Sequence, residues 1–91
     1  MTKTKLLIGS LSNDLLRVAC LSQRGSHQAA AKFLTQINRW IDDLSNAKLQ
    51  PYIEKIITEL QMHQQDVISL DQAEKYLTYS ILLQNYALHM K

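Results

Sequence analysis

Apolar residues recur three and four positions apart along almost the whole sequence, and very few helix-breaking residues interrupt them. The chain of 91 residues contains two glycines and one proline, and 46% of it is hydrophobic. Spacings of three and four keep side chains on one side of an α-helix, whereas a half-buried strand needs strict alternation. No clean alternation occurs, so the sequence predicts an all-α fold in a single domain over residues 1–91.

The predicted helices span approximately residues 4–23, 26–44, 50–65 and 70–90. Gly25 can adopt the left-handed backbone that ends a helix, and Ser26 can cap the helix that follows. Pro51 fits the first turn of the third helix, where its missing N–H costs nothing. Ser69 with Gln72 forms a capping box at the start of the fourth. Short joints between four helices predict a compact four-helix bundle or an orthogonal four-helix array, and the pattern fits both.

The start of the first helix has two interpretations. Gly9 lies inside the apolar pattern and weakens a helix that begins near residue 4. A shorter helix that begins at Ser10 or Ser12 fits the pattern equally well, because serine is a favoured N-cap.

The last helix has more apolar surface than one neighbouring helix can cover. At about 100° per residue, one stripe contains Tyr76, Tyr79, Leu83, Tyr86 and Met90. An adjacent stripe contains Ala73, Leu77, Ile81 and Leu88. The second and third helices have one apolar face each, and we expect them to cover much of this adjacent stripe.

The tyrosine stripe is then left without a partner inside the chain. Tyrosine suits an interface because its ring buries area while its hydroxyl finds a polar group. We therefore expect this stripe to be a protein interface, extended by Leu16 and Cys20 on a second apolar side of the first helix. The alternative is that the rings lie at the edge of the chain's own core, with their hydroxyls directed outward.

Charge is distributed unevenly along the chain. Residues 1–41 carry a net charge of +5 and residues 42–91 a net charge of −3, within a total of +2. Folding can mix the two halves and cancel this difference. Otherwise the basic half offers a face to an acidic partner, or the two halves pair between subunits.

No residue pattern typical of an active site, a metal site or a cofactor site is present. His27, His63 and His89 have no histidine or cysteine three or four positions away. Cys20 lies within a predicted helix among apolar residues, where a structural thiol is expected. Two distant glycines cannot form a phosphate-binding loop. The sequence therefore predicts a protein without catalytic activity, metal or cofactor.

Location is indicated by the single cysteine and by the absence of a long apolar run. Cys20 has no second cysteine with which to form an internal disulfide, which suits a reducing compartment. No run approaches the roughly 20 apolar residues that cross a bilayer. We expect a cytoplasmic protein that does not associate with membranes.

These observations together favour a small regulatory or adaptor protein that binds proteins and forms a homodimer through its last helix. The alternative is a DNA-binding transcriptional regulator with a helix-turn-helix over residues 12–44. In that case the residues directed toward DNA are Arg24, His27, Gln28, Lys32 and Arg39.

Overall fold

A computed structural model describes residues 3–45, 47–62 and 70–89, with side chains for all of these except Met62 and Leu70. Within these residues the chain forms four α-helices and no strand. The helices are α1 (Lys3–Gln23), α2 (His27–Leu44), α3 (Pro51–Met62) and α4 (Leu70–Leu88). The predicted all-α fold is confirmed.

The predicted helix bounds agree with the structure at most ends. Pro51 is the first residue of α3, as its missing N–H predicts. The shorter first helix, with its start at Ser10 or Ser12, is wrong, because α1 begins at Lys3 and continues through Gly9. The predicted end of α3 at residue 65 and the capping box at Ser69 lie outside the described residues.

Gly25 ends α1 with a Schellman motif. Its φ is +81°, which is left-handed backbone. The Ser26 N–H donates to the Leu21 carbonyl at 2.9 Å, and the Gly25 N–H donates to the Ser22 carbonyl at 3.1 Å. Ser26 occupies the N-cap position of α2, but its side chain makes no capping hydrogen bond. The turn is therefore held by backbone hydrogen bonds, and the prediction of a side-chain cap is wrong.

Two contacts show that α1 and α2 form an antiparallel hairpin. The Arg17 guanidinium lies over the Phe33 ring, 5.3 Å from its centroid. Farther from the joint, the Trp40 indole N–H donates to the Asp14 carboxylate at 2.7 Å. Contacts this far from the joint on both helices indicate that α1 and α2 run side by side in opposite directions, which is consistent with a helical bundle.

α4 packs along α1 as well, and α3 lies beside α2 and α4. A groove between α1 and α4 brings Lys5 and Leu6 close to Leu88, so these two helices are also antiparallel. The molecule measures 37 × 20 × 20 Å. A helix of 21 residues, at about 1.5 Å per residue, is roughly 31 Å long, and α1 therefore extends along most of the long axis.

The core is formed by one face of each helix. Large aliphatic side chains that are almost completely buried come from all four helices: Ile8, Leu11, Leu15 and Val18 of α1, Ile41 and Leu44 of α2, Ile53 of α3 and Leu83 of α4. Burial of each such side chain contributes about 1.5–3 kcal/mol. The single apolar faces predicted for the second and third helices both contribute to this core.

Candidate functional site

The tyrosine stripe of α4 faces the inside of the molecule. Leu83 is 0% exposed and Tyr76 is 4% exposed, while Tyr79 and Tyr86 are half-buried against the same core. The expectation that this stripe lacks an internal partner is therefore wrong. The alternative, with the rings at the edge of the chain's own core, describes the structure. Met90, the last residue of the predicted stripe, lies outside the described residues.

The tyrosine side chains have partners on α3. The Tyr79 hydroxyl donates a hydrogen bond to the Glu59 carboxylate. The Tyr52 and Tyr86 rings meet edge to face, with centroids 6.0 Å apart. These pairs bring the start of α3 to the end of α4 and the end of α3 to the middle of α4, so α3 and α4 are antiparallel.

Two tyrosines have pKa values above the ordinary range. The hydrogen bond to Glu59, with smaller effects from burial and from the Glu59 charge, raises the pKa of Tyr79 to about 12. Burial raises the pKa of Tyr76. The raised pKa values follow from the hydrogen bond to Glu59 and from the burial of these rings within the fold.

The adjacent stripe of α4 is the one that reaches the surface. Ala73, the smallest residue of this stripe, is buried and Leu77 is half-buried, whereas Ile81 and Leu88 are exposed. The expectation that the second and third helices cover this stripe is wrong. The reason lies in three small buried residues on the inward side of α4, which allow neighbouring helices to approach closely: Ala73, Ser80 and Ala87. A count of large apolar residues overlooks this row of small residues, because serine is polar and alanine is small.

Exposed aliphatic side chains of α1 and α4 lie together on one side of the bundle. Leu6 is 59% exposed, Leu16 41%, Ile81 52% and Leu88 67%. Leu6 and Leu88 line the same groove, which has a volume of about 280 Å³. At about 100° per residue, Leu16 lies within a quarter turn of Leu6, and Ile81 lies on nearly the same line as Leu88. We call this surface the α1/α4 face.

Further residues of the α1/α4 face are small or polar. Cys20 is exposed on α1, which does not fit the structural thiol expected from its apolar neighbours in the sequence. Gly9 and Gln84 line the groove, and a Cβ atom added at Gly9 would meet nothing within 4 Å. The predicted surface residues on α1 are therefore accessible, while Leu6, Ile81 and Leu88 were not selected from the sequence.

The outer side of α2 carries the residues considered for DNA binding. Those residues are exposed: Arg24, His27, Gln28, Lys32 and Arg39. A helix-turn-helix holds its two helices at about 90–120°, whereas α1 and α2 are antiparallel over most of their length. This pairing does not favour a helix-turn-helix over residues 12–44, and DNA binding through these residues stays a prediction.

One carboxylate is buried at the contact between α1 and α2. Asp14 is only 5% exposed and accepts the hydrogen bond from Trp40. The Arg17 guanidinium is 3.6 Å from the other carboxylate oxygen. Both oxygens are thus used within the hairpin, and the arrangement joins two helices rather than forming an open site.

No cluster of three histidine, cysteine, aspartate or glutamate side chains that could hold a metal ion occurs in the part of the chain that the structure describes. The helices in that part are all too short or too polar to cross a membrane. Comparison of the chain with protein-family models, curated proteins and solved structures gives no match.

Proposed function

We propose that this chain is a non-catalytic regulatory or adaptor protein of the cytoplasm that forms a homodimer through the α1/α4 face. The observation that carries the proposal is the exposure of four large aliphatic side chains on one side of the bundle: Leu6, Leu16, Ile81 and Leu88. Single exposed leucines are normal on a protein surface, whereas four large aliphatic side chains on one side of a bundle, with polar residues such as Asn13 and Gln84 between them, fit an interaction site. The exposed thiol of Cys20 suits a reducing compartment.

Burial of this face contributes to the free energy of association. Complete burial of one large aliphatic side chain contributes about 1.5–3 kcal/mol, and these four side chains are half-exposed on average. Their further burial therefore contributes a few kcal/mol before any other contact is counted. Homodimer interfaces are more apolar than the remaining protein surface, which matches this composition.

The size of the face also fits an interface. It extends along α1, a helix of 21 residues, and across two adjacent helices in a molecule 20 Å wide. A stable interface buries about 800 Å² on each partner. A surface roughly 30 Å by 20 Å, with side chains projecting from it, can supply an area of that order.

Sedimentation velocity at tens of micromolar tests the proposal with two neighbouring substitutions. Ile81 belongs to the α1/α4 face, whereas Leu82 is 40% exposed but lies about 100° away around α4. We expect a dimer for the wild type, a monomer for Ile81→Glu and a dimer for the matched control Leu82→Glu. Helical content, measured by circular dichroism, should be the same in all three.

Two results would contradict the proposal. A monomeric wild type at these concentrations would exclude self-association as the role of the face. Equal loss of the dimer in Ile81→Glu and Leu82→Glu would show that association does not depend on this particular side of α4.

A further inference from the structure

The two helices of the α1/α4 face carry opposite charge. Arg17 and the buried Asp14 pair with each other within the hairpin. The other charged residues of α1, with the residue that follows the helix, are all basic: Lys3, Lys5 and Arg24. The first two turns of α4 contribute two exposed acidic side chains and one basic side chain: Asp71 and Glu74, with Lys75. Each copy of the chain therefore presents a basic helix beside an acidic one.

Because α1 and α4 are antiparallel, Arg24, the last of these basic residues, lies level with the acidic first turns of α4. The groove brings the first turns of α1 to Leu88 and the next turns to Gln84. Continued along the helices, this register sets Arg24 level with the first turns of α4, which hold Asp71 and Glu74. Arg24 and Glu74 are exposed, and neither forms an ion pair with another residue among those described.

Two symmetric arrangements can bring the α1/α4 faces of two copies together. With a two-fold axis along the helices, α1 of one copy lies against α4 of the other. With a two-fold axis across the helices, α1 lies against α1 and α4 against α4, in opposite directions. Both arrangements are isologous, so the apolar residues alone do not select one of them.

We propose that the occupant of the α1/α4 face is a second copy of this chain, with α1 of each protomer packed against α4 of the other. This inference rests on the proposed function. It places Arg24 near Glu74 of the second copy, twice in the dimer, and it brings Lys3 to the negative end of the α4 helix dipole. The other arrangement brings Lys3 of one copy near Arg24 of the other, where like charges repel.

Charge reversal distinguishes the two arrangements, because it weakens the dimer in one of them and tightens it in the other. In the α1-to-α4 dimer, Arg24→Glu and Glu74→Arg should each weaken association by about twofold to thirtyfold, as expected for loss of two exposed ion pairs. An equal mixture of the two variants should restore wild-type affinity, because opposite charges then meet at both positions of the mixed dimer. Sedimentation equilibrium and native mass spectrometry measure the affinity and the mixed species.

The matched control is Lys32→Glu, which makes the same change of charge on the exposed side of α2 and should leave affinity unchanged at physiological salt. A dimer that is unaffected or tightened by Arg24→Glu would overturn this inference while leaving the proposed function intact. A wild type that remains monomeric would instead overturn the proposed function.

Discussion

Leu83 and Ile81 lie two residues apart on α4, and their substitution by alanine tests which side of the helix is core. Leu83 is 0% exposed, while Ile81 is 52% exposed. Both changes remove aliphatic carbon from the middle of the same helix. Any difference in their effect on the free energy of unfolding therefore reports burial rather than helix formation.

The expected losses in the free energy of unfolding differ severalfold between the two variants. Leu83→Ala removes about three buried methylene equivalents, or roughly 2.4 kcal/mol of transfer free energy, at about 0.8 kcal/mol each. The cavity left behind raises the total to about 3–4 kcal/mol. Ile81→Ala loses about half as much transfer free energy, because the side chain is half-exposed, and it leaves no cavity. Alanine is also the better helix former, so the net loss of unfolding free energy is about 0–1 kcal/mol.

Urea denaturation followed by circular dichroism measures both variants. A chain of this length is expected to have a free energy of unfolding of about 5–14 kcal/mol, so Leu83→Ala should remain folded with a clearly lower midpoint. Protein concentrations must be low enough to keep the chain monomeric, because association would stabilise the wild type by mass action. Equal costs for the two variants would refute the assignment of the tyrosine side of α4 to the core.

Three further predictions concern individual contacts. Gly9→Ala should raise the free energy of unfolding of the monomer by about 0.5–1 kcal/mol, because the new methyl group meets nothing within 4 Å; a destabilised variant in urea melts would contradict this. A double-mutant cycle of Asp14→Ala and Trp40→Phe should give a coupling of about 1.5–3 kcal/mol, as for a hydrogen bond to a charged group, and a coupling near zero would mean that the bond does not form. Because the pKa of Tyr79 is raised from 10.0 to about 12 by its bond to Glu59, the stability from this bond is complete below pH 10 and is lost as pH approaches 12. Wild type should therefore lose stability over that interval more steeply than Tyr79→Phe, and parallel curves would argue against the bond.

The helices and their joints were predictable because local residues determine them. Gly25 ends α1 for a steric reason that is visible in the sequence, and Pro51 begins α3 for a similar one. The single apolar face of α2 also identifies its buried side, since Ala30, Ile37 and Ile41 recur at helical spacing. These features depend on single residues or on residues within about three turns of one helix.

The inward side of α4 was not predictable in the same way. Its two stripes have similar apolar area, and periodicity therefore does not decide between them. The choice depends on packing distance, because Ser80 and Ala87, which belong to neither stripe, let another helix approach closely whereas Ile81 does not. It also depends on Glu59, which provides Tyr79 with a partner from a different helix. Such information becomes available only when the helices are placed in space.

The pairing of α1 with α4 has a consequence for the order of folding. The whole of α2 and α3 separates these helices along the chain, so their contact requires closure of a long loop, whereas the hairpin of α1 and α2 closes over a short turn. We expect the hairpin to form first, with the side of α1 that receives α4 still uncovered. At high concentration during refolding, α4 of one chain can dock on α1 of another chain, in the same geometry that it adopts within its own chain. Rapid refolding of concentrated protein should therefore yield exchanged oligomers that dilute refolding avoids.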